Sequence, residues 1–271
     1  MNLPGFGTCL VSTDIHGNGE DFRTLRDLFL QRRRDERDAH WILLGDVIHA
    51  PSLSARRKNP DLYDYPDESA AIVQELMALS DREAGHVHFL LGNHEHAHVG
   101  GPRTSRFYED EAAHLEAQVD EATRTKMHAF FNAAPLIAVA PCGVAFCHGS
   151  PDERLESLRQ LVGISYDIAA LDGKSRELLH GILNSYGQSA EVAQRVLKHL
   201  TTCTGFELSV LVHGHDRDVA GWFAEGGNQL CPVLFGAPRG EKRYLELDLG
   251  AHYRGLDRIR DGIELRRLYP G

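Results

Sequence analysis

Short apolar runs and longer amphipathic segments alternate along this chain of 271 residues. Two segments, 20–38 and 67–80, repeat apolar residues at helical spacing and carry charged residues between them, which predicts amphipathic helices. A longer segment, 107–133, is acidic at its start and apolar at its end, and we predict one helix there. The apolar runs predict strands at 8–12, 40–44, 86–91, 135–139, 143–147, 208–212, 230–235 and 244–249.

The order of these elements predicts an α/β fold. Strands and helices alternate in the first half, which is typical of βαβ units. Later, the runs 135–139 and 143–147 predict one hairpin, and 230–235 with 244–249 predict another. Together they favour a four-layer α/β/β/α sandwich of two mixed sheets flanked by helices. We expect one domain over 1–271, with a helical stretch at about 152–200 that caps the site.

Potential metal ligands follow five of the apolar runs. In an open α/β sheet, ligands bind where the loops at the carboxyl ends of the strands converge. An Asp, Asn or His stands at that point in every segment, beside a glycine that permits a tight turn. The five segments are S-T-D-I-H-G-N (12–18), L-L-G-D (43–46), L-L-G-N-H-E (90–95), F-C-H-G (146–149) and V-H-G-H-D (212–216).

The ligand types in these segments favour a two-cation centre. Asp14 and His16 can point at one ion, and Asp46 is placed to bridge two cations. Asn93 offers an amide oxygen, and the later strands add imidazoles. Mixed oxygen and nitrogen ligands suit Mn²⁺, Fe or Zn²⁺ better than Ca²⁺. Two such cations would activate a hydroxide and hold two phosphoryl oxygens, while His94 would protonate the leaving group.

Composition narrows the other possibilities. A formal net charge of −10 argues against a general nucleic-acid groove, because phosphate backbones need a basic surface. Five cysteines without a C-x-x-C spacing favour buried thiols over a thiolate zinc site. The apolar runs are too short for a membrane span, and the first residues do not resemble a secretory signal. We therefore expect a cytoplasmic protein with no membrane partner.

The five segments resemble the calcineurin-like metallophosphoesterase superfamily, whose pattern is D-x-H, G-D, G-N-H, H and G-H. L-F-G-A-P-R (234–239), followed by Y-L-E-L-D, is similar to the S-A-P-N-Y block of the phosphoprotein phosphatase (PP1/PP2A-like) branch, bacterial type. F-Y-E-D at 107–110 resembles that branch's F-Y-x-E. The resemblance implies two divalent metals, manganese first with iron or zinc as alternatives. The implied ligands are Asp14, His16, Asp46, Asn93, His148 and His215.

The resemblance also shows where the chain departs from the family pattern. G-D-x-x-D-R-G is here G-D-V-I-H-A, so His49 stands where an Asp would orient the catalytic His94. Ala50 replaces a phosphate-binding Arg, and His213 replaces another Arg in an undetermined role as ligand, phosphate contact or neighbour. A guanidinium from another loop could supply the missing fork. The candidates are Arg103 and Arg239, which lie nearest the motifs, and then Arg106 and Arg243.

These features predict a phosphoester hydrolase that works through a metal-activated hydroxide. The resemblance implies phosphomonoester substrates, with phosphoserine or phosphothreonine in proteins first and phosphotyrosine next; a small phosphoester is the other candidate. The missing arginines leave a second hypothesis open, a phosphodiesterase or dinucleoside-polyphosphate hydrolase on the same fold. A third hypothesis is a metal-binding protein without catalytic activity, which the complete ligand set and His94 disfavour.

Overall fold

Two five-stranded sheets form the centre of the computed structural model, which describes residues 1–270. The first sheet has the strand order β10-β9-β1-β2-β3, and the second has the order β4-β5-β6-β8-β7. In the first sheet, β1, β2 and β3 pair in parallel, whereas β9 pairs antiparallel with both β1 and β10. In the second sheet, β5, β6 and β8 pair in parallel, and the edge strands β4 and β7 are antiparallel. The strands are β1 (Thr8–Ser12), β2 (His40–Leu43), β3 (Val87–Phe89), β4 (Ile137–Ala140), β5 (Val144–Cys147), β6 (Val210–His213), β7 (Trp222–Glu225), β8 (Gln229–Pro232), β9 (Arg243–Asp248) and β10 (Leu265–Arg267).

Nine α-helices accompany the sheets within the described residues. The bounds are α1 (Gly19–Asp35), α2 (Leu53–Lys58), α3 (Pro60–Tyr63), α4 (Ser69–Arg82), α5 (Asn93–His96), α6 (Glu111–Glu116), α7 (Glu121–Ala133), α8 (Gly173–Asn184) and α9 (Ala190–Thr204). Asn18 caps α1 by accepting hydrogen bonds from the backbone of Glu20 and Asp21, each at 3.1 Å, so this helix begins directly after the first ligand segment.

Alternate residues of each strand pack into different layers. Val11 of β1 and Phe146 of β5 lie in the core between the two sheets. Leu10 and Trp41 face the other way and pack with the apolar side of α1, where the Phe22 and Trp41 rings are 5.7 Å apart. This alternation follows from the two-residue period of a strand. The predicted four-layer α/β/β/α sandwich is therefore confirmed.

Three of the predicted elements are different in the structure. The runs 230–235 and 244–249 do not form a hairpin, because β8 pairs with β6 and β7 whereas β9 pairs with β1 and β10. The predicted helix 107–133 is two helices, α6 and α7, and Asp120 caps the second. The 152–200 stretch is α-helical only in α8 and most of α9, whose apolar residues pack with the outer side of the second sheet, and its role as a cap stays a prediction.

Two short strands, β7 and β10, were missed by the sequence analysis. Both lie at sheet edges, and Trp222 and Glu225 of β7 are exposed, so they lack the apolar run that marks the other strands. None of the helices in residues 1–270 is long and apolar enough to cross a membrane.

Candidate metal centre

The five ligand segments converge at one place, where β1, β2, β3, β5 and β6 end. The first three strands belong to one sheet and the last two to the other, so the cluster joins both halves of the sandwich. Backbone hydrogen bonds hold the loops together: Asp14 N donates to Gly45 O at 3.1 Å, and Gly214 N donates to His148 O at 2.7 Å. The loops of neighbouring strands therefore fix each other's position.

Asp46 lies at the middle of the cluster. Its Oδ2 is 3.7 Å from His16 Nε2, 3.4 Å from His148 Nε2 and 3.9 Å from His94 Nε2. Its Oδ1 accepts a hydrogen bond from the backbone nitrogen of His94 at 3.0 Å, which fixes the orientation of the carboxylate. Burial alone would raise the pKa of Asp46, but the surrounding histidines, His148 first, hold that pKa well below its usual range. The carboxylate is thus ionised and faces imidazoles on several sides.

The histidine rings are oriented by backbone carbonyls. His148 Nδ1 donates to Leu44 O at 2.8 Å, and His16 Nδ1 lies 3.3 Å from His49 O. Because these carbonyls can only accept, each ring directs its Nε2 toward Asp46. Burial lowers the pKa of His148, but the Asp46 charge outweighs it and raises that pKa to about 9. A proton on His148 therefore supplies the positive charge that the carboxylates attract.

The donor set fits divalent cations. His16, Asp46 and His94 form one group of potential ligands, and Asp46, His148 and His215 form another, with ligand atoms within 4.8 Å of one another in each group. Asn93 Oδ1 lies 2.9 Å from His148 Nε2. Asp14 Oδ1 is 3.7 Å from His16 Nε2, and Asp14 Oδ2 accepts from the backbone of His215 at 2.9 Å. All six predicted ligands therefore lie around Asp46, which both groups share.

Backbone strain is concentrated at this centre. Five non-glycine residues have positive φ in the part of the chain that the structure describes, and all five lie in the cluster or touch it. Such a conformation costs free energy in L-residues and persists where the surroundings enforce it, as at functional sites. Gly45 and Gly92 pack backbone to backbone, and a Cβ on Gly92 would lie 2.3 Å from Asp46 Oδ1. The five residues are Asp14, His16, Asp46, His49 and His215.

A family profile described as calcineurin-like phosphoesterase matches residues 7–217, which include all six predicted ligands. The chain belongs to the calcineurin-like phosphoesterase family. No curated protein sequence gives a significant match.

The fold is shared with solved protein phosphatases. A protein serine/threonine phosphatase from Saccharomyces cerevisiae with similarity to human phosphatase PP5 is 15% identical, with a TM-score of 0.59 over 92% of this chain and 76% of that one. A cold-active protein-tyrosine phosphatase of a psychrophile Shewanella sp. is 15% identical, with a TM-score of 0.56 over 92% and 77%. Another cold-active protein tyrosine phosphatase structure is 15% identical, with a TM-score of 0.60 over 91% and 75%. At these identities the similarity establishes the fold of this phosphoesterase.

Glu95 connects the turns that carry the predicted ligands. The sequence analysis missed it as a functional residue, although it belongs to the G-N-H-E motif. Its carboxylate accepts from the backbone nitrogens of Asp46 and Val47, both at 2.8 Å, and from Gly92 at 3.1 Å. Burial, followed by the charge of Asp46, raises the pKa of Glu95 to about 7. This side chain therefore ties the turn that carries Asp46 to the turn that carries Asn93.

His94, in α5, approaches Asp46 Oδ2 with its Nε2 at 3.9 Å. Its Nδ1 is 2.8 Å from His49 Nδ1 and 3.6 Å from Glu111 Oε2. Glu111 is buried, its Oε1 accepts from the backbone of Phe107 at 3.0 Å, and its Oε2 has no hydrogen-bond partner. Glu111 was missed; the F-Y-E-D segment immediately before it was the sequence signal. The phosphoesterase thus has a carboxylate beside His94, supplied by a different residue from the expected Asp.

Burial is the largest influence on the two histidines of this pair. It lowers the pKa of His94 to about 3 despite the raising effect of the Asp46 charge, and it holds the pKa of His49 well below its usual range. Both rings are therefore neutral near pH 7 in the metal-free protein. A neutral imidazole carries one ring proton, so the hydrogen-bond partners decide which nitrogen of His94 holds it.

Three of the four arginines predicted to bind phosphate do not contact the cluster around Asp46 in the described part of the chain. Arg103 is 60% exposed and pairs with Asp110 at 3.2 Å. Arg239 pairs with Glu20 and stacks on the Tyr269 ring at 3.6 Å, and Arg243 is buried beside Asp261. Within residues 1–270, none of the three has a hydrogen bond or ion pair with a predicted ligand. Their role in phosphate binding stays a prediction that this geometry does not favour.

His213 is the last residue of β6 and is fully buried. Its Nδ1 donates to Gly214 O at 2.9 Å, and its Nε2 has no hydrogen-bond partner. Burial lowers its pKa to about 4. The groups of possible metal ligands around Asp46 do not include it. Of the three open roles, the position favours a neutral neighbour that supports the 213–215 turn.

Proposed function

We propose that this phosphoesterase is a dinuclear-metal phosphomonoesterase of the phosphoprotein phosphatase type. The observation that carries the proposal is the shared carboxylate of Asp46, which lies between His16, His148 and His94 at 3.4–3.9 Å. Ligands on two sides and an imidazole on a third suit a site that holds a phosphoryl group and protonates its leaving oxygen. Asp14, His16 and Asp46 would hold one cation, and Asp46, Asn93, His148 and His215 the other.

Each residue has a separate task in this proposal. Bound divalent cations would supply Lewis acidity and lower the pKa of a coordinated water toward neutrality. His94 would hold a proton at Nε2 for the leaving oxygen, and Glu111 and His49 would orient its ring through Nδ1. Glu95 would keep the ligand turns in register. Manganese is the proposed native metal, since mixed carboxylate, amide and imidazole ligands suit it, with iron or zinc as alternatives.

Arg106 and Arg217 are the better candidates for the phosphate contact. The Phe235 ring lies 4.1 Å from the His16 ring, and the two guanidinium carbons lie 5.1 and 5.9 Å from the Phe235 centroid. Burial lowers the pKa of His16, but Asp14 and Asp46 outweigh it and raise that pKa overall. The charge of Arg106 reaches the ring and opposes this rise. Two guanidiniums beside the centre could provide the fork that Ala50 cannot, because planar guanidiniums bind phosphate oxygens in pairs.

The proposed substrates are phosphoserine, phosphothreonine or phosphotyrosine in proteins, or a small phosphomonoester. The similarity of the fold to serine/threonine and tyrosine phosphatases supports this choice but does not select among them. All five cysteines are unpaired, and four of them are buried. These features support the proposed cytoplasmic location, where thiols stay reduced.

Hydrolysis of p-nitrophenyl phosphate and bis-p-nitrophenyl phosphate with Mn²⁺ tests the proposal. We expect the monoester to be the better substrate by at least about tenfold in kcat/KM, and a panel of phosphopeptides then ranks the three phosphorylated residues. Asp46→Asn is the negative control, and Asp257→Asn, at an exposed aspartate, is the matched positive control. Absence of turnover with two metals bound would contradict an enzymatic role.

A phosphodiesterase or dinucleoside-polyphosphate hydrolase is the second candidate. Ala50 favours it, because this buried methyl side chain stands where the family pattern has a phosphate-binding Arg, and a diester carries less charge to neutralise. A preference for the bis-p-nitrophenyl substrate, or for a dinucleoside polyphosphate, would select this candidate over the first.

A further inference from the structure

We propose that His98, Glu116 and His128 form an additional divalent-cation site outside the Asp46 centre. Glu116 Oε1 lies 2.8 Å from His98 Nδ1 and 2.8 Å from His128 Nε2. The three potential ligand atoms lie within 4.8 Å of one another. His98 follows α5, Glu116 ends α6 and His128 lies in α7, so three separate segments direct ligands to one point.

The chemistry of the three groups suits zinc or a similar transition metal. Two imidazoles and one carboxylate are the protein ligands of many zinc sites that keep an open coordination position. The carboxylate faces two histidines in the metal-free protein, and it accepts a hydrogen bond from each. A cation would take the place of those two N–H groups at the carboxylate, and each histidine would then carry its ring proton on its other nitrogen. Glu116 Oε1, which now accepts both hydrogen bonds, would then be the oxygen that binds the cation.

The three side chains differ in how exposed they are to solvent. His98 is fully buried at its side chain, whereas Glu116 and His128 are 24% and 34% exposed. A cation can therefore enter from solvent between α6 and α7 and meet a fixed ring at the inner end. The Phe131 ring lies 5.7 Å from the His98 ring and packs against it, which helps to hold that ligand in place.

The second nitrogen of His98 gives an independent reason for a metal. Its Nε2 lies 3.0 Å from His49 Nε2. Metal-bound histidines donate the other ring N–H to a partner, which fixes the tautomer and orients the ring. His49 is such a partner, and its far nitrogen contacts His94 at 2.8 Å. The proposed site is thus the outer end of a chain of three imidazoles that we name the histidine chain: His98, His49 and His94.

A cation at the outer end would reverse the direction of hydrogen bonding along the neutral histidine chain. Without it, Glu116 accepts from His98 Nδ1, so His98 Nε2 accepts from His49, and His49 Nδ1 accepts from His94 Nδ1. A neutral His94 then has no proton at Nε2. With Nδ1 of His98 on a metal, each bond reverses and the proton of His94 moves to Nε2. This consequence rests on the proposed acid role of His94, whereas the cation site does not.

Metal analysis of the full chain tests the site. Protein dialysed against limiting Zn²⁺ is compared with Glu116→Gln and His128→Asn, with His180→Asn as a matched exposed control on α8. We expect wild type and the control to hold one equivalent more than the two variants, and titration to show a loss of about tenfold or more in the affinity of that equivalent. Circular dichroism checks that each variant is folded.

The possible outcomes are separable from those of the phosphatase assay. Equal zinc content in wild type, Glu116→Gln and His128→Asn would overturn the proposed site and leave a hydrogen-bonded network. Loss of one equivalent in both variants, with the Asp46 centre still loaded, would establish it. If that loss also lowers kcat for phenyl phosphate more than for p-nitrophenyl phosphate, the effect on His94 is supported; equal rates would overturn that effect alone.

Discussion

The two sides of Asp46 are built in different ways. On one side, ligands from both sheets stand directly after strands, and backbone hydrogen bonds join their loops. On the other side, His94 contacts His49 and Glu111, and His49 contacts His98; these residues come from loops and short helices outside the sheets. The metal side is fixed by the sheet edges, whereas the acid side depends on how α5, α6 and α7 pack.

The difference between the two sides indicates which residues of the family pattern can be replaced. Strand ends allow little change, because a ligand must follow the strand at a set distance and a glycine must permit the turn. The partner of His94 can come from any nearby element that brings a carboxylate within reach. Here the expected Asp is His49, and Glu111 of α6 supplies the carboxylate from a distance of 3.6 Å. A carboxylate therefore lies beside His94 here as well, but a different element supplies it.

The largest effect is expected on the metal side. Asp46→Asn should lower kcat with p-nitrophenyl phosphate by about a thousandfold or more, because one carboxylate serves both ligand groups. Elemental analysis should show that metal content falls as well. Asp257→Asn, at an exposed aspartate, should behave as wild type. Near-normal turnover of Asp46→Asn would rule out the shared-ligand assignment.

Metal affinity should depend on pH through His148. Its pKa is raised from 6.5 to about 9 by Asp46, so below that pH a cation must displace a proton. Mn²⁺ affinity, measured calorimetrically at pH 6.5, 7.5 and 8.5, should rise about tenfold per pH unit. In metal-free protein, the protonated His148 ring stabilises the fold. This contribution is complete below about pH 6.5 and disappears as the pH rises toward 9, so Tm should fall over that range.

The control for this experiment is His148→Asn, which should bind more weakly and lose most of the pH dependence. The other cluster histidine on the second sheet, His215, has a lowered pKa and should not titrate in this range. An affinity in the wild type that does not change between pH 6.5 and 8.5 would contradict a proton on His148.

The sequence placed the six predicted ligands at one sheet edge because their signals are local. Each ligand stands within a few residues of an apolar run, and the run itself places the ligand at a sheet edge. The acid side was predicted only at His94 and His49. Of its remaining members, His98 follows α5, and Glu111 lies on α6, which ends at a helix break at 117–120 that the amphipathic pattern of 107–133 did not reveal.

The same limit explains the errors in topology. The runs 230–235 and 244–249 are close in sequence and both apolar, so pairing between them was the local expectation. The structure instead places β8 and β9 in different sheets, because each finds a long-range partner with a buried face. Edge strands β7 and β10 lack a buried run on both faces and left no signal. Long-range pairing and exposed edges are the features that local patterns miss.

On the acid side, Glu111→Gln tests whether the carboxylate has replaced the expected Asp. The amide keeps the shape but lacks the negative charge that favours a protonated His94, so kcat with phenyl phosphate should fall by roughly tenfold to a hundredfold. With p-nitrophenyl phosphate, whose leaving group needs less protonation, the loss should be smaller. Adding His49→Asp to Glu111→Gln should restore activity by returning a carboxylate to the other position. Equal losses with both substrates would indicate a structural role for Glu111.

The smallest effect is expected where the acid side meets the substrate. Arg106 lies just before α6 and approaches the Phe235 ring beside His16, whereas Arg103, three residues earlier, pairs with Asp110. Arg106→Ala should raise KM for p-nitrophenyl phosphate about tenfold, in line with the loss of one charge-assisted contact, and change kcat less. Arg103→Ala is the matched control and should stay within about twofold, because an exposed ion pair contributes little. The reverse ranking would assign the phosphate contact to Arg103 instead of Arg106.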